Sequence, residues 1–141
     1  MSQEMELEQA REDRRKHLEL IQGVINRLAG NSFHLKGWAV TLVSALTALG
    51  AQDSKASYML LALIPVIAFW PLDAYFLREE RRFRELYGKV SKQPTTNFAM
   101  SREDLKKETL DEVMARATLL GFYGVLFITV LVVAGLTYKA G

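Results

Sequence analysis

The chain has 141 residues, half of them hydrophobic and nearly a quarter charged, with a formal net charge of +2 and no cysteine. The missing cysteines exclude a disulfide scaffold, zinc–thiolate sites and iron–sulfur clusters, and the apolar content excludes intrinsic disorder. The small net charge gives no argument for nucleic acid as the main partner, but its distribution is informative, because the apolar residues collect in three runs and almost every charge lies between them.

Residues 1–36 hold six Lys/Arg and residues 78–116 hold ten, whereas the 52–57 loop has only Lys55 and the C-terminal tail only Lys139. The positive-inside rule then places the N-terminus and the 78–116 stretch in the cytoplasm, and the short loop and the C-terminus outside. That arrangement needs an odd number of crossings, and three apolar runs are present. The expectation is an all-α integral membrane protein with three transmembrane helices, N-in and C-out. The first run follows a long charged segment, so it reads as a retained anchor and not as a cleaved leader.

In chain order, residues 1–31 read as a charged cytoplasmic helix with an amphipathic, heptad-like seam at Leu18, Ile21, Ile25 and Leu28. Gly30, Asn31 and Ser32 suggest a weak junction before the membrane. Residues 32–77 form a transmembrane helical hairpin. Its first span covers about Phe33 to Ala51, its turn is Gln52-Asp53-Ser54-Lys55, and its second span covers about Ala56 to Leu77, kinked by Pro65 and Pro71. The second span is expected to continue into the cytoplasm as one long helix over about 57–91. Its stripe of Phe76, Phe83, Tyr87 and Val90 would meet the N-terminal seam. The cytoplasmic arm therefore covers 78–116, with a linker at 91–100 and a new helix capped by Ser101, with Glu103 and Asp104 in its first turn. Residues 117–138 form the third transmembrane helix, uncharged over 22 residues.

Catalytic signatures are absent. His17 and His34 are the only histidines, and no HExxH, GxSxG, Walker-type loop or GxGxxG occurs. The carboxylates alternate with Lys/Arg as on solvated helical faces. The expectation is a non-enzyme without cofactor or metal.

Four features carry the functional reading. On the first span, Gly37, Thr41, Ser44, Ala45, Ala48 and Gln52 share one side at 100° per residue, opposite Trp38, Leu42, Val43, Leu46 and Leu49. The small, hydroxylated side is too polar to prefer lipid. It fits close helix packing, with hydroxyls bonded to the preceding turn, or a pore lined by Thr41, Ser44, Ala48 and Gln52. Second, Asp73 lies inside the predicted end of the second span and needs a partner. Lys36 is about as far from the hairpin turn, so the two form a predicted intramembrane ion pair, with His34 nearby as a titratable group at a possible pore mouth. Third, Ala117, Gly121, Gly124 and Gly135 give the last span a small seam for close approach, while Trp38, Trp70, Tyr58, Tyr75, Tyr123 and Tyr138 suit interfacial anchoring. Fourth, Arg78, Arg81, Arg82 and Arg84 are placed to contact anionic lipid headgroups or an anionic regulator such as a nucleotide or oligonucleotide.

The stretches IQGVINRLAGNSFHLKGWAVTLVSALTAL (21–49) and FWPLDAYFLREERRFRELY (69–87) resemble small bacterial SLATT-type transmembrane effectors of anti-phage defence, over roughly residues 15–90. The chain is similar in concept to the channel subunit of the Hailong system, which is paired with a nucleotidyltransferase. It departs from the basic plan in its third span and in having no fused sensor domain. The resemblance implies a homo-oligomer of the bacterial inner membrane that permeabilises it when a nucleotide-signalling partner, or that partner's oligonucleotide product, releases it. An assembly of four or more copies is expected, since one chain cannot enclose an aqueous path. The other reading is a membrane-anchored coiled-coil adaptor that conducts no ions.

Overall fold

The computed structural model describes residues 2–52, 56–101, 103 and 105–140. Its elements are α1 (Gln3–Gln52), α2 (Ala56–Leu60), α3 (Leu63–Ser91), α4 (Leu110–Met114) and α5 (Ala117–Ala140), with no strand among the described residues. The Asp53, Ser54 and Lys55 part of the expected turn lies outside the described residues, as do Arg102 and Asp104.

α1 is one helix of 50 residues, about 75 Å long at 1.5 Å per residue. The expected junction at Gly30, Asn31 and Ser32 is not a break. Gly30 lowers local helix propensity by about 1 kcal/mol, but buried Ile25 and Ala39 hold the helix on either side, and buried Ser32 is tied to α3.

The expected single helix over 57–91 is in two pieces. The break falls at Leu61 and Ala62, where the Leu61 N–H donates to the Tyr58 carbonyl (3.2 Å) and the Ala62 N–H to the Met59 carbonyl (3.0 Å). Pro65 is the cause: it has no N–H for the Leu61 carbonyl, and its ring crowds that oxygen. The Leu61 carbonyl instead accepts from the Ile64 N–H at 3.1 Å. α3 then runs through Pro71 without ending.

α1 and α3 are antiparallel along most of their length. At the tip of this hairpin, Gly50 is buried against Met59, where a Cβ would meet Met59 Cγ at 2.5 Å and its backbone nitrogen at 2.9 Å. α5 returns along both helices and closes an apolar three-helix core around Ala39, Val43, Val66, Ala74, Tyr123 and Val130. A second, smaller core lies in the charged half, where Ile21 and Ile25 pack on Leu86, Val90 and Leu105, flanked by Leu18 and Phe83. Phe83 and Val90 of the expected α3 stripe thus meet the N-terminal seam, while Leu86 is buried there and Tyr87 is exposed.

Among the described residues no helix begins at Ser101. Residues 92–101, 103 and 105–109 are irregular, and their backbone is tied to the helices by Arg14 Nη1 donating to the Gln93 carbonyl (2.9 Å) and the Lys106 N–H donating to Glu85 Oε2 (3.2 Å). α4 starts instead at Leu110, where the Thr109 N–H donates to Glu112 Oε2 at 3.1 Å, as at other helix starts whose third residue is Glu. The Thr109 hydroxyl beside Asp111 holds that carboxyl below its ordinary range.

Two helical stretches, Ser57–Ser91 and Ala117–Lys139, are long and apolar enough to cross a membrane. The uncharged part of α1, 37–52, is 16 residues, short of the roughly 20 that a hydrocarbon core requires.

Candidate functional site

The most polar point of the apolar half is Asp73, which has no solvent exposure. A buried carboxylate is costly unless every oxygen is matched. Three helices supply the match. From α1, Lys36 Nζ donates to Asp73 Oδ2 at 2.6 Å and to Ser32 Oγ at 2.8 Å, and Ser32 Oγ donates to Asp73 Oδ1. From α5, Tyr123 Oη donates to Asp73 Oδ2 at 3.1 Å. The Trp70 ring stacks on Tyr123 at 6.1 Å between centroids, and its indole N–H donates to the Met114 carbonyl at 3.2 Å. The node thus joins all three helices of the apolar core at one level. Lys36 is part-exposed, at 27 % of its side chain, and lies 6.0 Å from the Phe122 ring.

The structure therefore brings the expected Lys36–Asp73 pair together, and adds two partners. Ser32 stands four residues before Lys36, on the same helical face, which was the available signal. Tyr123, one of the aromatics expected at the interfaces, is fully buried, whereas Trp38 and Tyr138 are 62 % and 81 % exposed. His34 is exposed, faces Phe33, and is not part of the node.

Gly37, Thr41, Ser44, Ala45, Ala48 and Gln52 all point away from α3 and α5. The Thr41 hydroxyl donates to the Gly37 carbonyl at 2.9 Å, which satisfies it without a neighbour. The opposite, bulky side divides: Val43 is buried in the core, while Trp38 and Leu49 are exposed. On α5, a Cβ at Gly121, Gly124 or Gly135 would meet nothing within 4 Å. That small seam makes no close approach within the chain, and the buried side of α5 is Leu119, Tyr123, Val130 and Ala134.

The four arginines beyond the apolar half are engaged by carboxylates of the same chain. Arg78 and Arg82 meet Glu79 at 3.5 and 3.2 Å, Arg84 meets Glu80 at 2.7 Å, and Arg81 meets Glu108 at 3.3 Å. Glu108 also receives Arg116. Glu79 and Glu80 are buried, at 3 % and 9 % exposure, so the alternating charges of this part of α3 are a partly buried ion-pair network whose Arg81 and Arg84 still reach solvent. His17, which no motif marks in the sequence, is buried beside Thr96 and Phe98 with Nε2 unpaired among the described residues.

Among the described residues, no group of three or more His, Asp or Glu side chains is arranged to hold a metal ion. The described residues define an all-helical protein with two helices suited to crossing a membrane, tied to each other and to α1 by the buried Asp73 cluster. Comparison with known protein families, curated proteins and solved structures finds no match.

Proposed function

We propose that the chain is the subunit of a homo-oligomeric channel of the bacterial inner membrane. In this reading three spans cross the bilayer, N-in and C-out, with Phe33, His34, Leu35 and a snorkelling Lys36 extending the short apolar part of α1 to full length. The observation that carries the proposal is the α1 stripe. Thr41, Ser44, Ala48 and Gln52 lie in the apolar half, yet they face neither α3 nor α5. The small residues Gly37, Ser44, Ala45 and Ala48 suit the close approach of another helix better than they suit lipid tails, and a second copy presenting the same stripe supplies that approach. A ring of such helices encloses a polar path. The outward glycines of α5 allow close approach at the other side of each subunit.

The Asp73 node fits this role because it fixes the rotation of α1 about its own axis, and so the direction in which the stripe points. The charged half is continuous with α1 and α3, so a tilt imposed there reaches the stripe. The resemblance to SLATT-type effectors supports anti-phage defence as the setting, with a nucleotide signal or a partner protein as the trigger. Exposed Met5 and Leu7, on the first turns of α1, favour a second reading in which the same helices serve as a docking platform without conduction.

The test is ion flux from liposomes containing the purified protein and its Thr41→Leu and Ser44→Leu variants. Flux that both substitutions abolish, with the oligomer intact by crosslinking, supports the channel. Flux unchanged in both variants refutes a pore lined by α1.

A further inference from the structure

Glu108 has unusual company. It lies in the irregular segment before α4, yet it receives two guanidiniums from separate elements, Arg81 of α3 and Arg116 at the start of α5. Arg81 Nη1 spans both carboxylate oxygens, at 3.3 and 3.5 Å, and Arg116 Nη2 donates to Oε1. The carboxylate is a poor occupant of this place. Both arginines crowd onto Oε1, neither forms the bidentate fork that guanidinium favours, and Arg116 Nε is buried with no partner among the described residues.

Beside the pair is a cavity of about 350 Å³, lined by Arg81, Arg82, Glu85, Lys106 and Glu108. Glu85 is already held by Lys89 at 3.6 Å and by the Lys106 backbone N–H. With Arg116 reached through Glu108, and with the partners Glu79 of Arg82 and Lys89 of Glu85 included, five cations stand against three carboxylates around this space, leaving it net positive. The Glu108 pairs are partly solvated, with side-chain exposures of 40 %, 37 % and 23 % for Arg81, Arg116 and Glu108. Ion pairs this exposed exchange at little cost.

We propose that Arg81 and Arg116 form a binding site for a phosphate group, which Glu108 occupies as an internal stand-in. A phosphate monoester has three terminal oxygens where the carboxylate has two. It accepts a fork from Arg116 through Nε and Nη2, takes the Arg81 contact, and leaves an oxygen for Lys106 in the cavity. Its greater charge matches the positive lining. Displacing Glu108 frees the segment leading into α4 and α5, so occupancy is read out at the start of α5, next to Met114 and its bond from Trp70. A lipid headgroup and a soluble phosphate share this chemistry. The proposal does not depend on whether the protein conducts ions.

The experiment is isothermal titration calorimetry of the full chain in a neutral detergent. One arm uses inorganic pyrophosphate. The other uses dihexanoyl phosphatidic acid, with dihexanoyl phosphatidylcholine as its control. Glu108→Gln is expected to tighten binding about tenfold, and Arg81→Gln and Arg116→Gln each to weaken it about tenfold, the scale of one charge-assisted hydrogen bond. Saturable binding of pyrophosphate assigns a soluble phosphate, and binding of phosphatidic acid alone assigns a headgroup. Either supports the site if it shows that order of variants. Should Glu108→Gln lose helix content by circular dichroism, Arg116→Lys takes its place, because it keeps the charge, loses the fork and is expected to weaken binding. No saturable heat with either phosphate, or one affinity across all variants, overturns the proposal.

Discussion

Replacing Lys36 with methionine is expected to destabilise the protein more than replacing Asp73 with asparagine, although both remove the same ion pair. The asymmetry comes from burial: the Lys36 side chain is 27 % exposed and that of Asp73 is 0 % exposed. Lys36→Met leaves a fully buried carboxylate with only the neutral hydroxyls of Ser32 and Tyr123. Breaking a buried pair in this way costs about 3–5 kcal/mol, and the partial exposure of Lys36 puts this case near the lower end. Asp73→Asn leaves an ammonium that can still reach water, and its cost is about one charge-assisted hydrogen bond, roughly 1.5–2 kcal/mol. The double variant holds no unpaired charge. Its cost should fall short of the sum of the singles by about 2 kcal/mol, as contacting residues couple. For a chain of this size each kcal/mol moves the melting midpoint by about 3–4 °C. Thermal melts of the four proteins in neutral detergent, followed by tryptophan fluorescence and circular dichroism, read this directly. Additive losses, or a larger loss for Asp73→Asn than for Lys36→Met, would refute the reasoning.

Three further outcomes follow from the packing. Gly50→Val should cost about 1–3 kcal/mol through overpacking against the Met59 backbone, while Gly121→Val, facing open space, should leave the monomer's melting midpoint nearly unchanged; equal losses at both positions would contradict the assignment of the close approach. Ile25→Ala should cost about 2–5 kcal/mol, and hydrogen exchange should show the loss concentrated in the charged half, with the apolar three-helix core keeping its protection. Thr109→Ala should raise the carboxyl pKa of Asp111 towards its ordinary value, visible in an NMR titration. The lowered pKa of Asp111 means that its contribution to α4 is present above the ordinary carboxylate pKa and is lost as pH falls through the lowered one; in the alanine variant that loss should set in at higher pH.

Much of the architecture is visible in the chain because the bilayer-like segregation of charge is coarse and survives local detail. The Lys36–Asp73 contact could be deduced because a hairpin equates distance from its turn with depth. What could not be read depends on packing. Gly30, Asn31 and Ser32 look like a helix end by propensity, but the buried contacts on both sides and the Ser32 bond to Asp73 outweigh about 1 kcal/mol of local preference. Tyr123 and the other aromatics have the same composition signal, and only the third helix decides which one turns inward. Leu86 is buried between Phe83 and Val90 where Tyr87 was expected; both positions fit the helical spacing, so periodicity alone does not choose between them. Of the four arginines, Arg78, Arg82 and Arg84 have carboxylate partners within one helical turn, which the spacing allows, whereas the Arg81 partner Glu108 is 27 residues away, beyond the range of any helical spacing rule.

The most direct test of the channel is cysteine scanning, for which the cysteine-free chain is already suited. Thr41→Cys, Ser44→Cys and Ala48→Cys would be compared with Trp38→Cys and Leu49→Cys in planar bilayers, with a charged, water-soluble thiol reagent added during recording. The account predicts discrete currents, and a block by the reagent at positions 41, 44 and 48 but not at 38 or 49. Currents blocked equally from both faces, or blocked only from 38 and 49, would contradict a pore lined by the Thr41 stripe.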